Sequence, residues 1–352
     1  MNGAPAHPGK LAGTSGGSQC VASWTSPPLC TYTRAFRLLG GFVEGVGLVS
    51  FPGNKQFAFT IFDDTDYCTL DSARKVYRLL ADLGFRTTKS VWPLASVPEG
   101  AVGGASLAEP EYRDFIRALH REGFEIALHG ARNHHSPRTM VEQGFQVFSD
   151  LLGQAPRIHV NHLHNRDNVY WGPDRFTTSL PRLGYRLGAR GRRFEGSTEG
   201  SPYFWGDLCR ERIDYVRNFV VEEINLLRVN PTLPYHNPAQ PYVRGWFSST
   251  FGDKAPSFCR ALREAEQDRL EAEGGVCIMY THFGLRYVQN GELDREFAKL
   301  MRRLAGKNGW FVPVSTLLDH LRASQQNPVI PRRELARLER HWLSQRIRRR
   351  DN

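Results

Sequence analysis

The sequence has little of several things, and each shortage removes a class of explanation. It has no apolar run long enough to cross a bilayer, so a membrane-spanning protein is not indicated. The six cysteines (Cys20, Cys30, Cys68, Cys209, Cys259 and Cys277) are scattered, and no CxxC pair occurs among them. That argues against zinc ribbons and thioredoxin-type redox sites. The N-terminus lacks the basic and apolar regions of a secretory signal, which points to a reducing, cytoplasmic setting with thiols rather than disulfides. No GxxxxGK[ST] is present, and the glycine-rich Gly40–Gly47 neither follows a strand nor opens a helix, so phosphate cradling there is weakly indicated. The second half offers little regular periodicity, with Pro231, Pro234, Pro238 and Pro241 marking loops over one rim.

Positive charge is in excess, +10 over 352 residues, which favours an acidic partner such as an anionic glycan or lipid headgroup. Much of it is local. From Arg332 to Asn352 there are eight arginines against Glu334, Glu339 and Asp351, a net +5 in the tail alone. There Leu335, Leu338 and Trp342 have helical spacing, predicting a basic amphipathic helix over 326–352. Such a helix either docks on the fold with a solvated basic face or contacts a membrane surface, the inner membrane included, or a protein. No nucleic-acid-binding motif accompanies it, and no nucleic acid is expected as partner. Residues 1–35, rich in Gly, Ser and Pro at their start, read as a disordered leader, leaving 36–325 for one domain.

That domain is organised around Phe57-Ala-Phe-Thr-Ile-Phe-Asp63-Asp64-Thr65-Asp66. An apolar, β-branched run ending in acids reads as a buried parallel strand, whose C-terminal end is where α/β folds gather ligands. Adjacent carboxylates repel, so a cation beside them is expected; a helix N-cap by Thr65 or Asp66 is the plainer alternative. A helical pattern over 70–83 follows, then strand 86–92, helix 109–121, strand 124–129, helix 138–152 and strand 156–162. Later strands are expected at Tyr215–Glu222, Gly275–Gly284 and Trp310–Val314, with helices over 293–304 and 315–324. The alternation predicts an α/β fold, a distorted (β/α) barrel of about seven strands.

Parallel strands bring their C-terminal ends to one rim, so Asp63, Asp64, His129, His162 and His282 should converge. A single histidine at such a position is more often a hydrogen-bonded structural residue than a ligand. Several together match the His-plus-carboxylate composition of a divalent metal site, zinc foremost. Beyond them, Asn161–Gly172 joins Asn161, Asn165 and Asn168 to Tyr170 and Trp171, a pairing of amides and aromatic faces that suits a sugar. An Asx-rich turn packed by Trp171 would look the same.

Phe59-Thr-Ile-Phe-Asp63-Asp64, Glu125-Ile-Ala-Leu-His129 and Tyr280-Thr-His282 resemble motifs of the polysaccharide deacetylases, the NodB-homology or carbohydrate esterase family 4 group. With Asn161–Gly172 they are most similar to its WbmS-like subgroup, linked to lipopolysaccharide biosynthesis. The resemblance covers about 50–320. It implies a metal-dependent hydrolase that removes an N-acyl group from an amino sugar of a surface polysaccharide or its precursor. It further implies Asp63 as general base, His282 as general acid, and Asp64 and His129 as ligands. The family's second histidine ligand would fall at Asn133, so His134, His135 or His162 must complete the set, with His162 preferred as a strand-end residue. The family's arginine motif is absent in its usual form, and Arg217 is the candidate to orient Asp63 or face substrate, beside Asn161, Asn165, Asn168, Tyr170 and Trp171. These departures also fit a glycan-binding or scaffold protein that has lost catalysis.

Overall fold

The computed structural model describes residues 49–188 and 192–350; the leader, Cys20, Cys30 and the Gly40–Gly47 loop lie outside them. Seven parallel strands form the core: β1 (Phe57–Asp63), β2 (Thr88–Val91), β3 (Glu125–Leu128), β4 (Ile158–His159), β5 (Tyr215–Val221), β6 (Trp246–Phe251) and β7 (Val276–Thr281). They pair in chain order, and β7 returns to β1 over six registered residues, Ala58↔Val276 to Asp63↔Thr281, closing a (β/α) barrel. A hairpin, β8 (Val288–Gln289) with β9 (Glu292–Leu293), and the short β10 (Gly309–Trp310) complete the strands among the described residues.

The closure rests on β1, which is buried at every position. Its apolar and β-branched residues face core on both sides, as parallel strands inside a helical coat must. One edge of β1 carries β7. Its other edge is shared, β10 beside Phe57 and Ala58 and β2 beside Phe62 and Asp63. This split edge is the distortion of the barrel.

The expected strand count is matched with one substitution in membership. The Trp310 strand is a two-residue flank, and the seventh barrel strand is Trp246–Phe251, in a stretch read as loop. Trp246, Phe247, Ser248, Ser249 and Thr250 are all buried, so burial on both faces erased the alternation that would have marked a strand. Four helices in the second half, Ser179–Gly188, Gly206–Arg212, Ala255–Ala261 and Glu264–Ala272, were likewise not predicted. Two of them, Gly206–Arg212 and Glu264–Ala272, have nine residues or fewer and no N-terminal side-chain cap, so they depend on tertiary packing.

The helix Leu70–Asp82 has its own cap. Thr69 accepts the Ser72 amide at 3.2 Å in a capping box. Thr65 and Asp66 are therefore not needed at that terminus.

The tail forms the helix Arg332–Arg350, and its apolar stripe lies on the protein's own barrel. Leu335, Leu338 and Trp342 are buried, with Trp342 5.6 Å from Phe219 of β5 and 5.7 Å from Phe176. The docked alternative is the observed one; the apolar face is not free for a membrane or another protein. Glu339 is wholly buried and accepts the backbone amides of Thr177 (2.7 Å) and Thr178 (3.1 Å) as well as both hydroxyls. No helix among the described residues is long and apolar enough to cross a membrane. Glu339→Ala strands those buried donors and should destabilise the protein by about 2–3 kcal/mol in urea unfolding, with Glu339→Gln intermediate. Equal stability of Glu339→Ala and the parent would show that the tail is not integral to the fold.

Candidate active site

Three carboxylates within four residues of chain lie at the end of β1, and each meets different partners. Asp63 is fully buried. Lys89 of β2, its register partner, stands 3.0 Å from Asp63 Oδ2, while the Phe283 amide donates to Oδ1 at 2.8 Å and the Tyr77 hydroxyl to Oδ2 at 3.2 Å. Burial pushes the Asp63 carboxyl up against the opposing charge of Lys89. Burial would lower Lys89, but the charge of Asp63 outweighs it and holds the ammonium above its ordinary range.

Asp64 points the other way around the rim. Arg217, rising from β5, grips it with both terminal nitrogens at 2.9 and 2.5 Å, a bidentate pair with rigid planar geometry. The guanidinium is itself packed over Tyr280, 4.5 Å from the ring centre. Arg217 thus orients Asp64 and makes no contact with Asp63.

Asp66 stands at the centre of three histidines. His129 Nε2 is 3.1 Å from its Oδ2, His162 Nε2 is 2.8 Å from Oδ1, and His282 Nε2 is 3.2 Å from Oδ2. Burial would raise the Asp66 carboxyl, but the three imidazoles around it, His129 foremost, hold it well below the usual carboxylate range. Burial lowers His129. It opposes His282 too, but the hydrogen bond to Asp66 and the charges of Asp64 and Asp66 prevail and raise that ring. His282 Nδ1 lies 2.8 Å from the Asp253 carbonyl, an acceptor that requires the proton on Nδ1 and turns Nε2 toward the carboxylates.

Local backbone explains this convergence. Tyr67 adopts the left-handed conformation (φ 58°), turning the chain sharply after Asp66. Gly284, two residues beyond His282, passes so close to Tyr67 that an added Cβ would lie 2.1 Å from the Tyr67 carbonyl oxygen. Any larger residue there would push the β7 loop, and His282 with it, away from Asp66.

Among the described residues, two groups of ligand atoms lie within 4.8 Å of one another, Asp66 with His129 and His162, and Asp64 with Asp66 and His282. The first has the character of a metal site. Asp66 Oδ1 and His162 Nε2 are buried and 2.8 Å apart, yet neither makes a hydrogen bond. Their separation, and the 3.1 Å between Asp66 and His129, approach the edge of about 3.3 Å in a tetrahedron of metal–ligand bonds near 2.0 Å. Trp92 packs on both imidazoles, at ring-centre distances of 5.8 and 5.3 Å, and restricts their rotation.

The remaining predicted residues lie apart from this centre. His134 stacks on His135 at 4.3 Å in the loop after β3, and neither joins an Asp/His group. Asn133 staples that loop through Val97 and Val102. The amides of Asn161–Gly172 are turned inward. Asn161 exchanges hydrogen bonds with the Val169 backbone, Asn168 with that of His162, and Asn165 donates to the His134 carbonyl at 3.1 Å. They shape the loop that carries His162. Tyr170 is half-buried and stacks with Tyr242, and the partly exposed Trp171 donates to the Leu163 carbonyl at 2.8 Å and carries Arg175 on its face at 3.8 Å. The residues not foreseen as functional are Asp66, hidden as a candidate helix cap, and Lys89, which only the β1–β2 register places beside Asp63.

No protein-family model matches the chain, and no curated protein matches its sequence. Among solved structures, a probable polysaccharide deacetylase from Pseudomonas aeruginosa PAO1 superposes with a TM-score of 0.50 at 13% identity, over 82% of this chain and 98% of that one. A candidate polysaccharide deacetylase of Mycobacterium smegmatis gives 0.49 at 14% over 81% and 96%, and Puue allantoinase 0.48 at 14% over 82% and 98%. The likeness establishes the fold. The chain is a NodB-type (β/α) barrel.

Removing Lys89 alone leaves a buried carboxylate without its counter-charge. Lys89→Met should therefore destabilise by about 3–5 kcal/mol, and adding Asp63→Asn should recover most of the loss. Equal stabilities for parent and Lys89→Met would refute the pairing. A separate titration follows from Asp167, which is buried, accepts the Ser136 amide at 2.9 Å, and is pushed up to about 7 by burial. A carboxyl raised on folding favours the protonated native state, so its contribution is fully present below about pH 4 and lost as pH rises to about 7. The stability of Asp167→Asn relative to the parent should rise across that window and level off above it; a difference independent of pH would contradict the shift.

Proposed function

We propose that the protein is a metal-dependent hydrolase that removes the N-acyl group from an amino sugar of a surface polysaccharide or its precursor. The observation that carries this reading is the Asp66–His162 contact, two buried lone-pair donors 2.8 Å apart with no hydrogen bond between them and His129 on the other carboxylate oxygen. Asp66, His129 and His162 would hold the divalent ion, a two-histidine, one-carboxylate donor set that suits zinc among others. When bound, such an ion polarises the acyl carbonyl and makes its water a stronger acid.

The chain's own groups supply proton transfer. Asp64, held by Arg217 at the edge of the cluster, would take the proton of the attacking water. His282, with its ring raised by Asp66 and Asp64 and its Nδ1 proton committed to Asp253, presents Nε2 to protonate the departing amine. This assignment moves the acidic roles along the chain from those implied by the family motif. The base moves from Asp63 to Asp64, and the ligand from Asp64 to Asp66, because Asp63 is sealed beneath the site by Lys89, Tyr77 and the Phe283 amide.

Metal analysis and acetate release from N-acetylglucosamine oligomers separate these roles. Asp66→Asn, His129→Ala and His162→Ala should each lose bound metal. Asp64→Asn and His282→Ala should keep it while kcat falls by about 10²–10⁴. Metal loss in Asp64→Asn with retention in Asp66→Asn would overturn the assignment, and a parent protein that binds metal without releasing acetate from any N-acylated sugar would exclude the hydrolase.

A further inference from the structure

We propose that the sugar substrate carries a phosphate or diphosphate ester, held by unpaired arginines beside the loop that bears His162; this rests on the amino-sugar reading above. A cleft of about 350 Å³ is lined by Arg186, Arg192 and Arg193 together with Phe194, Asp174 and Glu195. Both acids are already neutralised by arginines outside the lining, Asp174 by Arg182 at 2.6 Å and Glu195 by Arg166 at 2.9 Å. Among the described residues none of the three lining arginines forms an ion pair with a carboxylate, Arg193 acting on Glu195 only through its charge.

The cleft is built onto the active-site loop. The amides of Glu195 and Gly196 donate to the carbonyls of Arg166 and Asn168, at 2.5 and 3.1 Å. The Phe194 ring occupies the space a Cβ on Gly172 would need, 2.3 Å away, where Gly172 has a φ of +60°.

A further cation follows the lining residue Asp174 in the chain. Arg175 is only 5% exposed, has no carboxylate partner among the described residues, and leaves Nε without a hydrogen bond there. Its guanidinium donates to the Asn218 carbonyl at 3.2 Å and lies between the rings of Trp171 and Trp342 at 3.8 and 4.6 Å. Burial pushes it down to about 9. A buried cation is normally paired, and one supported only by aromatic faces and a carbonyl adds uncompensated positive potential. Several unpaired guanidiniums exceed what one sugar carboxylate would engage and match the multiple acceptor oxygens of a phosphate or diphosphate.

The test is calorimetric binding of UDP-N-acetylglucosamine, polyprenyl-diphosphate-linked N-acetylglucosamine in detergent micelles, and free N-acetylglucosamine. It uses the full chain and its Arg192→Gln/Arg193→Gln and Asp66→Asn variants. Both arginines are exposed, so the double variant should fold. At least one diphosphate compound should bind the parent more tightly than the free sugar, and the double variant should weaken it at least tenfold without affecting the free sugar. Preference for the nucleotide or the polyprenyl compound identifies the source of the diphosphate. Asp66→Asn should retain diphosphate binding, so failure of the hydrolase reading leaves this result intact. Equal affinities in parent and double variant, or diphosphate compounds no tighter than the free sugar, would overturn the proposal.

Discussion

The structure depends on separating negative charge at the end of one strand. Asp63, Asp64 and Asp66 lie within four residues, and three ionised carboxylates so close would destabilise the barrel rim if they shared one environment. Each has its own partner instead, drawn from a different strand or loop: Lys89 from β2, Arg217 from β5, and histidines following β3, β4 and β7. Closing the barrel and neutralising the β1 end are therefore the same event. The parallel topology brings the cations to one rim, and the acids fix where the ends of those strands must sit.

The arrangement also grades the carboxylates by access and duty. Asp63 faces inward and ties β1, β2 and the Phe283 amide together beneath the site. Buried ion pairs contribute little net stability beside apolar packing, and their best-supported use is to fix one arrangement among several. Here what is fixed is the loop carrying His282. Asp64 and Asp66 stand above it, one held by a planar guanidinium that cannot lose its charge and the other by imidazoles that can ligate or transfer protons.

Much of this was legible in the sequence, and the remainder was hidden for identifiable reasons. The β1 run, the helix Leu70–Asp82 and the strand-end histidines announced themselves through apolar run length, 3.6-residue periodicity and residue chemistry. The fold class followed from the strand–helix alternation of the first half. Trp246–Phe251 was not visible because a strand buried on both faces has no period to read, and its polar Ser248, Ser249 and Thr250 broke the apolar run. Asp66 was masked by proximity to a helix start; only the Thr69–Ser72 capping box removes that explanation. The Asn161–Gly172 segment could have been a sugar platform or an Asx-rich turn, and the hydrogen-bond partners of Asn161, Asn165 and Asn168 are those of the turn. Lys89 carried no local signal at all, since its role exists only through strand register.

In the proposed site Asp66, rather than its two acidic neighbours, would join His129 and His162 around a divalent ion. The most direct measurement is a crystal structure of the zinc-loaded protein with anomalous scattering at the zinc edge. One ion is expected about 2.0–2.2 Å from Asp66, His129 and His162, with Asp64 still held by Arg217 and Asp63 by Lys89. An ion ligated by Asp63, or by Asp64 released from Arg217 with Asp66 left outside the ligand set, would contradict this assignment.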